Sequence, residues 1–77
     1  MSDRHPGTEH LRSLFEYWHL PAPLRSISMI AADTASAMIE ALDDGPELTA
    51  GLRKLVEAKD CFVRQAVIDA RQRVIER

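Results

Sequence analysis

The sequence predicts an all-α fold: a short N-terminal helix followed by a long antiparallel helical hairpin, assembled as an oligomer. Three observations predict it. Apolar residues recur at helical spacing in three segments. Two proline-containing breaks, His19–Pro23 and Asp43–Pro46, separate those segments. The chain has 77 residues and a single cysteine, Cys61, so it builds a thin core with no internal disulfide to brace it. Small proteins of that kind commonly gain stability by associating.

The elements follow in order. Residues 1–7 are polar and carry Pro6-Gly7, a turn signal, so they are expected to form a flexible lead. A single domain then spans 8–77. Thr8 is suited to cap a helix over about 8–18, with Glu9 favourable in its first turn. Leu11, Leu14, Phe15 and Trp18 share one face of it, and Phe15 and Trp18 are expected in the core. Pro21 and Pro23 stop the helix because a proline disfavours helical geometry in the residue before it.

The second helix is expected over about 23–42, with Ile27, Ile30, Ala31, Thr34, Met38, Ala41 and Leu42 as its apolar stripe. Small residues at 31, 32 and 35–37 permit close approach of a neighbouring helix. Gly45 suits a left-handed C-terminal position and Pro46 the first turn of the next helix. The third helix, about 47–76, carries a main stripe of Leu48, Leu52, Leu55, Phe62, Ala66 and Ala70, widened by Val56, Val63, Val67 and Val74. Thirty helical residues span roughly 45 Å and the second helix only about 25 Å. About 20 Å of amphipathic surface is therefore left for the first helix or another subunit, by the same arithmetic.

Charge narrows the function. Twelve acidic and ten basic residues leave a net charge of −2, which argues against a general nucleic-acid binder. The balance shifts along the chain: residues 1–46 are acidic on balance, whereas 47–77 carry a basic excess. The sequence shows no signal peptide and no apolar run near twenty residues, which together with one thiol reads as cytosolic and soluble.

No catalytic constellation emerges, and no cofactor is expected. His5, His10 and His19 lack the spacing of a helical metal pair, and the three glycines are too scattered to cradle a phosphate. Cys61 has Lys59 and Arg64 nearby, cations that lower a thiol pKa. A buried small apolar residue is the simpler expectation, since free cysteine is among the most buried types.

Four features bear on binding. Tyr17 falls off the apolar stripe; with His19 and Arg25 it offers a stacking plane, a hydrogen-bonding group and a cation, the elements a nucleobase and a phosphate require. The alternative is a tyrosine packed across a subunit seam. Lys59 interrupts the stripe between Leu55 and Phe62. It either snorkels to solvent or receives an anion at an oligomer seam. Arg53 and Arg64 share one side of the third helix with Glu57 and Asp60, which equally describes a ladder of ion pairs worth a few tenths of a kcal/mol each, about 0.2–0.5.

The run from Gly45 to Cys61, and above all Leu52-Arg53-Lys54-Leu55-Val56-Glu57-Ala58, resembles the turn and second long helix of the phage anti-CBASS sponge proteins, whose helical hairpin is shared with some anti-Thoeris sponges. The resemblance covers about residues 15–70. It implies a protein that is not an enzyme, binding cyclic oligonucleotide alarm signals intact in the cytoplasm of an infected bacterium and so keeping immune effectors switched off. It further implies a homo-oligomer, a hexamer in that family, with pockets between subunits for a cyclic dinucleotide such as cyclic GMP-AMP. Tyr17 best matches the tyrosine that stacks on the base. The family adds a lysine from the first long helix; here that helix has none, and Arg25 is its only cation. A separate cyclic-trinucleotide site in some members uses an arginine of the last helix, for which Arg53 and Arg64 are the candidates. The competing expectation is a non-enzymatic helical module that grips another protein through its apolar stripe. A DNA-binding regulator is the weakest reading, and neither DNA nor membrane is an expected partner.

Overall fold

A computed structural model describes residues 4–76, which form three helices: α1 (Pro6–Ser13), α2 (Ala22–Ala41) and α3 (Pro46–Glu76). Among the described residues there is no strand, and no helix is long and apolar enough to cross a membrane. Met1, Ser2, Asp3 and Arg77, together with the side chain of Val74 on the expected stripe, lie outside the description.

α1 begins two residues before the expected start, and its cap is His5 rather than Thr8. The His5 Nδ1 accepts from the Gly7 amide at 2.9 Å. Pro6 fits the first turn because the N–H it lacks has no intrahelical acceptor there. Thr8 is instead buried, and its hydroxyl donates to Asp44 at 2.8 Å. The part of the expected lead that is described, Arg4–Gly7, is therefore tied down by hydrogen bonds.

α1 also ends five residues early. The Ser13 hydroxyl donates to the His10 carbonyl at 2.6 Å, the acceptor an α-helical Leu14 amide would use. Leu14 and Phe15 donate to Leu11 and Arg12 instead, which tightens the last turn. The expected stripe splits as a result. Leu11 and Phe15 are buried, while Leu14 is exposed and Trp18 is 66% exposed rather than in the core.

α2 presents Ser28, Ala31, Ala35 and Ile39 to the interior. Only Ala31 of the expected stripe is among them; Ile30, Met38 and Leu42 face outward. Small side chains face inward because α1 and α3 both close on that side of α2, and dense packing there requires short side chains. Leu42 ends α2 in an extended conformation (φ −125°, ψ 151°). Gly45 is not left-handed, since no described residue has a positive φ. The last carbonyls of α2 are met from outside: the Arg4 guanidinium donates to Ile39 and Leu42, each at 2.7 Å.

α3 starts at Pro46, one residue from the expected position. Leu48 and Leu52 complete a core with Leu11, Phe15, Ala31, Ala35 and Ile39, and Leu55 and Val56 pack at its edge. Beyond that point cover of the main stripe thins: Phe62 is 61% exposed, while Ala66 and Ala70 are half-buried. The core occupies the end of the molecule where all three helices meet, and α3 runs on along a body 50 Å long.

Candidate functional site

The early stop of α1 leaves Leu14–Leu20 as a connecting turn, and this turn carries three of the four aromatic residues, Phe15, Tyr17 and Trp18. Tyr17 and Trp18 meet edge to face, with ring centroids 6.1 Å apart and planes at 63°. They open onto a cavity of about 320 Å³ whose other walls include Phe15, Arg12, Ala32 and Ser36. The alanines of α2 make a floor without long side chains, so space for a flat ring remains above them. Arg12 is the cation of this cavity and is held by Glu9 at 3.5 Å. Glu16 lines it too. One guanidinium among two carboxylates does not neutralise a phosphate unaided.

The sequence-derived candidates are not gathered at this place. Tyr17 lies in the cavity, half-buried. His19 is exposed in the turn. Arg25 folds back onto the turn, where its guanidinium donates twice to the Leu20 carbonyl, at 3.0 and 3.1 Å. Lys59 lines a different cavity, of about 390 Å³, between α2 and the later part of α3, and its ammonium lies 2.9 Å from Asp60. Arg53 and Arg64 are exposed along α3, and Arg64 donates to the Cys61 sulfur at 3.2 Å. Cys61 is exposed rather than buried.

Sequence reasoning missed Arg12, Trp18 and Ser36 as cavity residues. Trp18 fits the helical period of Leu11 and Phe15, and periodicity alone assigns it to the core. The signal that corrects it is Ser13, a residue whose hydroxyl competes for helix carbonyls.

A third cavity, about 550 Å³ and mostly apolar, lies at the α2–α3 turn between Met38, Leu42, Gly51, Leu52 and Leu55. Among the described residues no group of three or more His, Cys, Asp or Glu is placed to hold a metal ion. One carboxyl has a displaced pKa: hydrogen bonds from the His5 amide, the Thr8 hydroxyl and the Arg4 guanidinium hold Asp44 below its ordinary value. No family model, curated protein or solved structure matches the chain.

Proposed function

We propose that this protein is a non-enzymatic sponge that binds cyclic di- or trinucleotides without cleaving them and so keeps the effectors of bacterial CBASS immunity from being activated. The observation that carries the reading is the Tyr17–Trp18 ring pair beside a floor of small residues. Every base has a π-face, and stacking on an aromatic ring supplies about 1–3 kcal/mol per base. In this reading α2 and α3 form an antiparallel hairpin and several copies assemble, six in the resembled family. Each pocket then draws the cations it lacks from a neighbouring copy, with Arg25, Arg53, Lys59 and Arg64 as the candidates and His19 at the rim. Sequestration needs tight binding alone, so it makes no demand for an acid, a base or a metal.

The test is isothermal titration of the purified protein against a panel of cyclic di- and trinucleotides, followed by heat extraction and chromatography of the ligand. Intact ligand recovered from a saturable complex supports a sponge. Tyr17→Ala is expected to weaken binding by about 5- to 150-fold, the stacking energy expressed as a ratio. An absence of binding across the panel, or turnover of the ligand, overturns the proposal. The outward-facing Ile30, Met38 and Phe62 favour a second reading, a helical protein-interaction module. That reading predicts no nucleotide binding.

A further inference from the structure

The cavity at the α2–α3 turn lies apart from the Tyr17–Trp18 cavity and shares no lining residue with it. Its volume of about 550 Å³ falls within the range of small-molecule pockets, roughly 300–1,000 Å³. Leu48 and Leu52 line it from the core, and Met38 and Leu42, both exposed, form its outer edge. Gly51 leaves one wall without a side chain: nothing stands within 4 Å of where its Cβ would be. The cleft follows α3 from Leu48 to Leu55, about 10 Å of helix. Asp43, Gly45 and Pro46 close one end of it, so a partner helix cannot pass through lengthwise, whereas a short molecule can fill it.

Charge selects the kind of molecule. The polar side chains on the cleft are Thr34, Asp43 and Glu47. The Thr34 hydroxyl donates to the Ile30 carbonyl at 2.9 Å, which leaves it no proton for an anion. Neither the Asp43 nor the Glu47 carboxylate has an ion-pair or hydrogen-bond partner among the described residues. Between Arg25 and Arg53 the chain holds five carboxylates and no lysine or arginine. Arg4, which reaches this end from the start of the chain, is turned onto Asp44 and the last carbonyls of α2. The N-terminus of α3 opposes a cation with roughly half a positive charge. Asp43 and Glu47 outweigh it.

We propose that this cleft binds a small organic cation, an ammonium group on an apolar body about 10 Å long. The body lies on Met38, Leu48 and Leu52, and the ammonium sits between Asp43 and Glu47 at the turn. Exposed ion pairs contribute little, so the apolar body supplies most of the affinity and the carboxylates decide the sign of the charge. The inference goes beyond nucleotide sequestration and stands without it.

The probe is phenylbutylammonium, titrated into the nitrogen-15-labelled full chain and followed by amide chemical shifts. Phenylbutanol and phenylpentanoate keep the body and change the charge. The expected result is saturable shifts confined to residues 38–55. The ammonium should bind about three- to tenfold more tightly than the alcohol at low salt, with the carboxylate weakest. That difference should shrink in high salt, because the carboxylates are exposed. Asp43→Asn with Glu47→Gln is expected to bring ammonium and alcohol within about twofold of each other and to leave the alcohol unchanged. Gly51→Leu puts a side chain into the cleft from a helix that accepts leucine readily. It is expected to weaken ammonium and alcohol by about tenfold or more with helix content unchanged by circular dichroism. No saturable shift up to about 10 mM, equal binding of ammonium and alcohol, tighter binding of the carboxylate, or indifference to Gly51→Leu overturns the proposal. Shifts of residues 48–52 that follow protein concentration before any probe is added also overturn it, since a second copy then occupies the cleft. Nucleotide titration of the same samples succeeds or fails independently.

Discussion

Arg4 and Asp44 are joined across forty residues of chain by a 3.0 Å contact between Nε and Oδ1. The same guanidinium donates to the Ile39 and Leu42 carbonyls that end α2. Asp44 in turn accepts from the His5 amide and the Thr8 hydroxyl. One cation and one carboxylate thus close α2, begin α1 and hold the two together, which places Phe15 in the core and aims the Tyr17–Trp18 turn. The cation also suits its place, because a helix C-terminus carries partial negative charge.

This arrangement predicts an acid-sensitive fold. Hydrogen bonds from His5, Thr8 and Arg4 lower the folded-state pKa of Asp44. A lowered pKa contributes stability that is complete above the unfolded-state value and is lost as pH falls through the folded-state value. Asp44→Asn is therefore expected to lower the melting temperature at neutral pH. The gap between variant and wild type should narrow on acidification. Thermal melts followed by circular dichroism across that range measure it, and a gap that stays constant would show that the carboxylate charge is irrelevant.

Phe15 and Trp18 should separate cleanly. Phe15 is 3% exposed, and Phe15→Ala is expected to destabilise by about 3–5 kcal/mol. Trp18→Ala, at an exposed position, should change stability by no more than about 0.5 kcal/mol. Urea titrations of the two variants decide it. A large loss at Trp18 would mean that α1 continues to it.

Ser28 is 2% exposed and its hydroxyl has no hydrogen-bond partner among the described residues. A buried polar group without a partner costs about 1–3 kcal/mol. Ser28→Ala is therefore expected to raise stability by about 1 kcal/mol, helped by alanine's higher helix propensity. Chemical denaturation reads it, and a destabilised variant would reveal a bond to the hydroxyl.

Gly51 sits inside α3 with nothing within 4 Å of where a Cβ would stand. Glycine in a helix interior is less stable than alanine by about 0.5–1 kcal/mol. Gly51→Ala should stabilise the isolated chain by about that amount, in the same denaturation experiment. A loss of stability that grows with protein concentration would place a neighbouring molecule against this position.

The three helices and the start of α3 within one residue were determined by periodicity and proline placement, both local properties of the chain. The polar caps were legible only as residue types. Thr8 and Gly45 each have the right chemistry for a cap, yet His5 and Arg4 take those roles because Asp44 lies across the fold from them. Burial was decided by the tertiary structure. On α2 two adjacent faces are apolar enough to be inside. The face with Ala31 and Ala35 wins because two helices close on it, and the bulkier Ile30, Met38 and Leu42 are left outward. Tyr17 was legible as an off-stripe aromatic, but its pairing with Trp18 was not, because that depends on where α1 ends. Periodicity assigns a residue to a face of a helix; which face is buried depends on what packs against it, and that is a property of contacts distant in sequence.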